Sequence, residues 1–263
     1  MRGMDDIDLA RYPLDRPGSA DWQRMVADAK AGLVRDGLFN LPGFLTAKAL
    51  AETLAHVRPR LARESFHHSR WHNIYFRDAV DGLAPDHPAL QKVETANHTL
   101  CHDQLTGTPL DRIYRDAGFI AFLEAVMDRP RLHIMDDPLA GVNVLEYRDG
   151  EALNWHFDRS IFTTTLLLQE AEAGGLFEFA RNLRSAEDPN HAGIADLLEG
   201  RLTPVQLEQA AGTLNVFLGV DTAHRVSRVA GATARIVAVL SHYDRPGMAF
   251  SDSERMGFFG RTA

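Results

Sequence analysis

Leu166-Leu167-Leu168-Gln169 and, after a short gap, Gly174-Gly175-Leu176-Phe177-Glu178-Phe179 read as a strand, a glycine turn and a second strand. Paired glycines accept the positive φ that a tight reversal demands, and the aromatic run beyond them suits a pleated surface. Runs of the same kind lie on either side: Leu132–Met135, Val142–Tyr147, Phe162–Leu168, Leu214–Leu218 and Ala234–Tyr243, with Asp149-Gly150 as another turn signal. Closely spaced strands favour a sandwich or barrel over βαβ units.

Residues 1–130 read mainly as helices. From Ser19, residues Trp22, Met25, Val26, Ala29, Leu33 and Val34 recur at helical spacing, with Gly37 as the stop. Thr46 is a good N-cap for a helix carrying Leu50, Leu54, Val57 and Leu61 on one stripe. Another helix is expected from Asp116, burying Phe119, Phe122, Leu123 and Val126. The His-, Asn- and Pro-rich stretch between Arg63 and Thr108 reads as irregular. Within the strand region, residues 181–211 turn helical, with Thr203-Pro204-Val205-Gln206 as a capping box. An insertion of that length is expected to cover something.

A chain of 263 residues suits one domain. The net charge of −8, with no basic cluster, argues against a nucleic-acid partner. One cysteine, Cys101, permits neither an internal disulfide nor a thiolate zinc site. The N-terminus lacks the apolar stretch of a signal peptide and no run reaches membrane-spanning length, so a cytoplasmic protein with no membrane partner is expected. A homodimer stays open.

The chemistry concentrates in His156, Asp158 and His224. His156 and Asp158 end the strand-like Leu153-Asn154-Trp155-His156-Phe157-Asp158, where residues two apart point to one face. His224 follows His156 by 68 residues. Two imidazoles and one carboxylate on one side of an ion leave open positions, which suits Fe(II) taking a bidentate co-substrate and O₂ together. A surface His-x-Asp pair is common by chance; the downstream context raises it. Arg235, inside the run Ala234–Tyr243, can fork onto the distal carboxylate of a dicarboxylic acid.

This order, His156-x-Asp158 … His224 … Arg235, resembles the iron(II)/2-oxoglutarate-dependent oxygenases. The resemblance is strong from Val142 to Pro246 and includes the Gly174-Gly175 hairpin; upstream, Asp36-Gly37 … Pro42-Gly43-Phe44 looks like an entry shared by many of them. It implies a mainly β fold with flanking helices around a double-stranded β-helix (jelly roll, cupin-like) spanning residues 131–250. It also implies that Fe(II) is held by His156, Asp158 and His224, that 2-oxoglutarate is held by Arg235, and that O₂ is used to hydroxylate a small molecule. The spacing looks most like free-amino-acid halogenases and their hydroxylating relatives. Halogenases have a small residue where Asp158 stands, so hydroxylation is expected.

Asn143 and Tyr147 share a strand face. If it points inward, either can reach 2-oxoglutarate; if outward, Asn143 is an ordinary polar strand residue. Thr163 and Thr165 read as simple β-formers. His67, His68 and His72 near Trp71 could reach the mouth of the site or sit in a solvated loop. That stretch and residues 181–211 are expected to border the mouth. Asn154, Arg159, Arg225, Arg228, His72, Asn73 and Arg77 are expected around the metal and suit a free amino acid or similarly small polar acid. A non-catalytic small-acid binding module and a zinc hydrolase using the same triad are the rivals.

Overall fold

The computed structural model describes residues 3–263. Six helices, α1 (Ala20–Asp36), α2 (Ala47–Glu64), α3 (Pro109–Tyr114), α4 (Ala117–Val126), α5 (His191–Leu198) and α6 (Asp252–Phe259), surround the strands. The strands are β1 (Leu38–Leu41), β2 (Phe66–His72), β3 (Val93–Leu100), β4 (His133–Ile134), β5 (Val142–Tyr147), β6 (Leu153–His156), β7 (Thr163–Gln169) and β8 (Ala173–Gly174). They continue with β9 (Phe177–Ala180), β10 (Val205–Leu207), β11 (Leu214–Phe217), β12 (Ala223–Val226), β13 (Val229–Ala230), β14 (Arg235–Leu240) and β15 (His242–Tyr243).

Seven strands form a major sheet in the order β1-β11-β7-β14-β5-β3-β2, and four form a minor sheet, β10-β9-β12-β6. Their antiparallel pairing and alternating faces make the jelly roll. Alternation along β14 sends Ile236, Ala238 and Leu240 outward into the core beneath the helices, against Leu33, Val57, Phe119 and Phe122. Arg235 and Val237 face the interior, where Val237 packs with Tyr147 and Val226 of the minor sheet. Burying each of these large apolar side chains contributes on the order of 2 kcal/mol, which holds the helical layer to the sheet.

Local signals explain the helix ends. The Ser19 hydroxyl accepts from Trp22 N–H, and Gly37, at φ 74°, closes α1. Thr46 and Asp116 cap α2 and α4 in the same way. Val34, read onto the buried stripe of α1, is 82% exposed.

Two expectations are corrected. The stretch from Arg63 to Thr108 is not irregular throughout, since β2 and β3 form a seven-residue antiparallel ladder from Phe66↔Thr99 to His72↔Val93. Residues 181–211 are helical only in α5, and Thr203-Pro204-Val205-Gln206 opens no helix. Val205–Leu207 instead add β10 to the edge of the minor sheet, opposite Phe177–Phe179, where Gln206 donates to the Glu178 carboxylate at 2.8 Å. Cross-strand pairing outweighs a local capping pattern there. No helix of the described residues is long and apolar enough to cross a membrane.

Candidate metal centre and its cavity

His156 ends β6 and His224 lies on β12, directly across the ladder from it. Their rings are 4.1 Å apart between centroids. Asp158 follows just beyond β6, its N–H donating to the Gly219 carbonyl at 2.9 Å. Its Oδ1 stands 3.4 Å from His156 Nε2 and 3.5 Å from His224 Nε2. Donors about 2.1 Å from one ion stand roughly 3.0–3.4 Å apart, so the set is the right size for a divalent metal.

The tautomers point the same way. His156 Nδ1 lies 2.9 Å from the Asn154 carbonyl, and His224 Nδ1 lies 3.0 Å from the Thr222 carbonyl. A carbonyl only accepts, so each Nδ1 carries the proton and each Nε2 presents a lone pair. Two lone pairs and a carboxylate oxygen then converge, an arrangement that a cation resolves. Burial opposes ionisation of Asp158, but a positive charge beside it, which a proton on His224 or His156 supplies and a metal ion would replace, outweighs burial and holds its carboxyl well below the usual carboxylate range. Burial, with His224 adjacent, also lowers the His156 imidazole.

Two supports were not recognised from sequence. Thr163, read as a simple β-former, donates its hydroxyl to the second oxygen of Asp158. Gly219 lies so close that an added Cβ would stand 2.8 Å from Asp158 Cγ. Gly219 reaches Asp158 from a distant segment, which no local pattern marks; Thr163 is close to Asp158 in sequence, but a β-branched residue reads first as a strand former.

Arg235 sits on β14 opposite Tyr147 of β5. It is 6% exposed, and its Nε is buried without a hydrogen-bond partner among the described residues. Burial pulls the guanidinium down to about 10, with Tyr147 and Glu170 opposing, so it stays charged at neutral pH. A buried, unanswered cation is costly until an anion reaches it. Its unpaired Nε therefore fits an acidic co-substrate.

A cavity of about 860 Å³ opens beside the triad, lined by His156 and Asp158 with Asn143 and Tyr147 on its wall. The β5 face carrying Asn143 and Tyr147 thus points inward, although the Asn143 amide already donates to the Leu139 carbonyl at 2.7 Å. The histidine cluster splits by strand parity. His68 and His72 line the cavity, whereas His67 turns to the outer face, 3.4 Å from Glu151 and stacked on His98. His72 is anchored to Thr95 at 2.7 Å, and its ring stacks on Phe76 at 4.3 Å. Phe76 has a φ of 55°, held by the Asn73 side chain, which accepts from Tyr75 N–H and Arg77 N–H.

Of the polar residues expected around the metal, His72 and Arg159 line the cavity. The others do not. Arg225 pairs with Glu178 at 2.5 Å and covers the Trp155 ring on the outer face of the minor sheet. Arg228 donates to the Gly150 carbonyl, Asn154 to that of Glu94, Asn73 to that of Arg77, and Arg77 itself is exposed. The expectation for the mouth is half met. No residue of 181–211 lines the cavity; α5 packs Ile194 and Leu197 behind Trp155. The covering wall comes instead from the C-terminal segment, with Met248, Phe250 and Phe258. The Ser251–Glu254 capping box was the available signal for α6.

Neither a protein-family model nor a curated protein matches the chain. Solved structures do. The non-haem α-ketoglutarate-dependent epimerase SnoN of nogalamycin biosynthesis aligns at a TM-score of 0.58 and 19% identity, over 84% of each chain. An oxidoreductase of the 2OG-Fe(II) oxygenase family from Burkholderia pseudomallei aligns at 0.53 and 17%, covering 89% of this chain and 94% of that one. EctD from S. alaskensis, solved with 2-oxoglutarate and 5-hydroxyectoine, aligns at 0.54 and 17%, covering 87% and 77%. At such identities the likeness shows the fold, a jelly roll with flanking helices. The narrower likeness to free-amino-acid halogenases is not among these three.

Proposed function

We propose that the protein is an Fe(II)- and 2-oxoglutarate-dependent dioxygenase that hydroxylates a small acid, of the free-amino-acid class or a related one. The observation that carries the assignment is the pairing of two features in one jelly roll. One is a buried set of two Nε2 lone pairs and a carboxylate; the other is a buried arginine, Arg235, lacking an anion.

His156, Asp158 and His224 would hold the metal, and Arg235 would hold the distal carboxylate of 2-oxoglutarate, with Tyr147 beside it and Asn143 on the same wall. When bound, iron and 2-oxoglutarate supply an oxidant for a C–H bond; O₂ divides between the new hydroxyl and succinate, and CO₂ leaves. The chain's own task is geometric. The carbonyls of Asn154 and Thr222 fix the imidazole tautomers, Thr163 and Gly219 fix the carboxylate, and the aromatic wall keeps water from the reacting carbon. Asp158 occupies the position that halogenation would need open.

A zinc hydrolase would use the same triad but gives Arg235 no role, and a silent binding module gives the metal set none. Anaerobic addition of Fe(II) and 2-oxoglutarate distinguishes them. A weak visible charge-transfer band that depends on both additions is expected; no band at saturating concentrations sinks the assignment.

A further inference from the structure

We infer that Arg70 is the anchor for an anionic group of the substrate, and that the substrate is an acid with an apolar body rather than a zwitterion. The inference rests on the oxygenase assignment above; it keeps the small acid proposed there and sets aside the free amino acid. His68, Arg70 and His72 alternate along β2 on the face that lines the cavity. The guanidinium of Arg70 lies 5.0 Å from the Phe76 ring centroid and 6.0 Å from that of Phe258. Aromatic faces on a guanidinium fix its plane while leaving its N–H edge free to fork onto a carboxylate.

Among the described residues no acidic side chain pairs with that charge. Burial and then the Arg159 guanidinium lower the Arg70 pKa, and no carboxylate opposes them. Arg159 itself is answered by Glu254 at 2.7 Å. Two residues before Arg70, His68 is buried with its Nε2 unpartnered, and burial and Arg70 lower it to about 4. A neutral imidazole beside an unanswered guanidinium suits a carboxylate, which takes hydrogen bonds from both.

The zwitterion is disfavoured by the cavity's own acids. Asp158 is committed to the metal set, Glu254 to Arg159, and Asp244 lies 3.8 Å from Arg129. A desolvated ammonium would find no free carboxylate. The remaining wall beside Arg70, with Met248, Phe250 and Phe258, suits hydrocarbon. Phe76 touches both ends of the cavity, 5.0 Å from the Arg70 guanidinium and 5.8 Å from the His156 ring.

Calorimetric titration of the full chain with 3-phenylpropionate, octanoate, cyclohexylacetate, the primary amide of each, and phenylalanine tests this without turnover. At least one acid is expected to bind ten or more times tighter than its amide and than phenylalanine. That preference should vanish in Arg70→Met and persist in part in Arg70→Lys, with thermal unfolding confirming that both variants are folded. Equal binding of acids and amides, tighter binding of phenylalanine, or no binding by any acid overturns the inference. So does an acid preference that survives Arg70→Met; if that variant fails to fold, Arg70→Lys decides, and an undiminished preference there overturns it too. The anaerobic iron band reads the oxygenase assignment separately, so either can fail alone.

Discussion

Tyr147 and Arg235 are cross-strand partners on the β5–β14 ladder, the tyrosine fully buried and the arginine's Nε without a hydrogen-bond partner among the described residues. Burial raises the Tyr147 hydroxyl well above its ordinary value, with Arg235 partly opposing, so it stays protonated and can only donate to an anion there. Under the proposed function, Arg235→Leu would remove a charge-assisted contact to the co-substrate worth about 2–3 kcal/mol. The 2-oxoglutarate requirement should rise roughly tenfold to a hundredfold, with Fe(II) binding retained. Titrating the anaerobic band with 2-oxoglutarate measures it; an unchanged midpoint removes Arg235 from the co-substrate site.

Asp158→Ala deletes the anionic member of the triad, and His156→Ala or His224→Ala each deletes a lone pair. All three variants should lose Fe(II) on desalting and lose hydroxylation. Near-normal iron retention in any one excludes that residue as a ligand.

Thr163→Val keeps the β-branched shape on β7 and removes only the hydroxyl that Asp158 accepts from. Partners of this kind typically contribute tenfold to a hundredfold in metal affinity. The Fe(II) dissociation constant should rise by about that factor with little change in melting temperature. An unaltered constant means the hydrogen bond does not orient the ligand.

Gly219→Ala inserts a methyl against the Asp158 side chain. Gly219 has no positive φ, so the effect comes from crowding rather than backbone strain. Iron affinity should fall while circular dichroism stays native. Full affinity would show that the Asp158 loop yields without moving its carboxylate.

His242 is buried, with Nε2 3.1 Å from the Tyr114 carbonyl, and burial lowers it to about 4. The unfolded chain takes up this proton near pH 6.5 and the folded one only near 4, so the unfolded state binds more protons between those values. This contribution to stability is present above about 6.5 and is lost as pH falls toward 4. Melting temperature should decline across that window, and His242→Gln should flatten the decline. An identical slope in the variant would refute the link.

His156, Asp158 and Arg235 stood out for local reasons: His156 and Asp158 are two residues apart at a strand end, and Arg235 is a lone charge heading the continuous apolar run Ile236–Leu240. The hairpin β2–β3 was not legible. Its inward face carries His68, Arg70 and His72 opposite Thr95, Asn97 and Thr99, so the apolar-in, polar-out alternation that announces a strand is missing. A strand whose inward face is polar looks like a loop. Strand parity also explains one misplaced polar residue near the metal: Arg225 is next to His224, and that odd offset keeps it off the ligand's face, whereas Asn154 shares the parity of His156 but spends its amide on the Glu94 carbonyl.

The C-terminal wall and the β2–β3 hairpin border the cavity, while every metal-ligating candidate and Arg235 come from β6, the turn after it, β12 and β14. Under the proposed function, chemistry and much of the selection of substrate thus fall in separate stretches of chain. Mutations can accumulate at Arg70, Phe250 or Phe258 without disturbing the iron ligands, so descendants of this chain can change diet while keeping the same reaction. A lineage built this way diversifies from its rim and its tail, with the strands at its centre held nearly still.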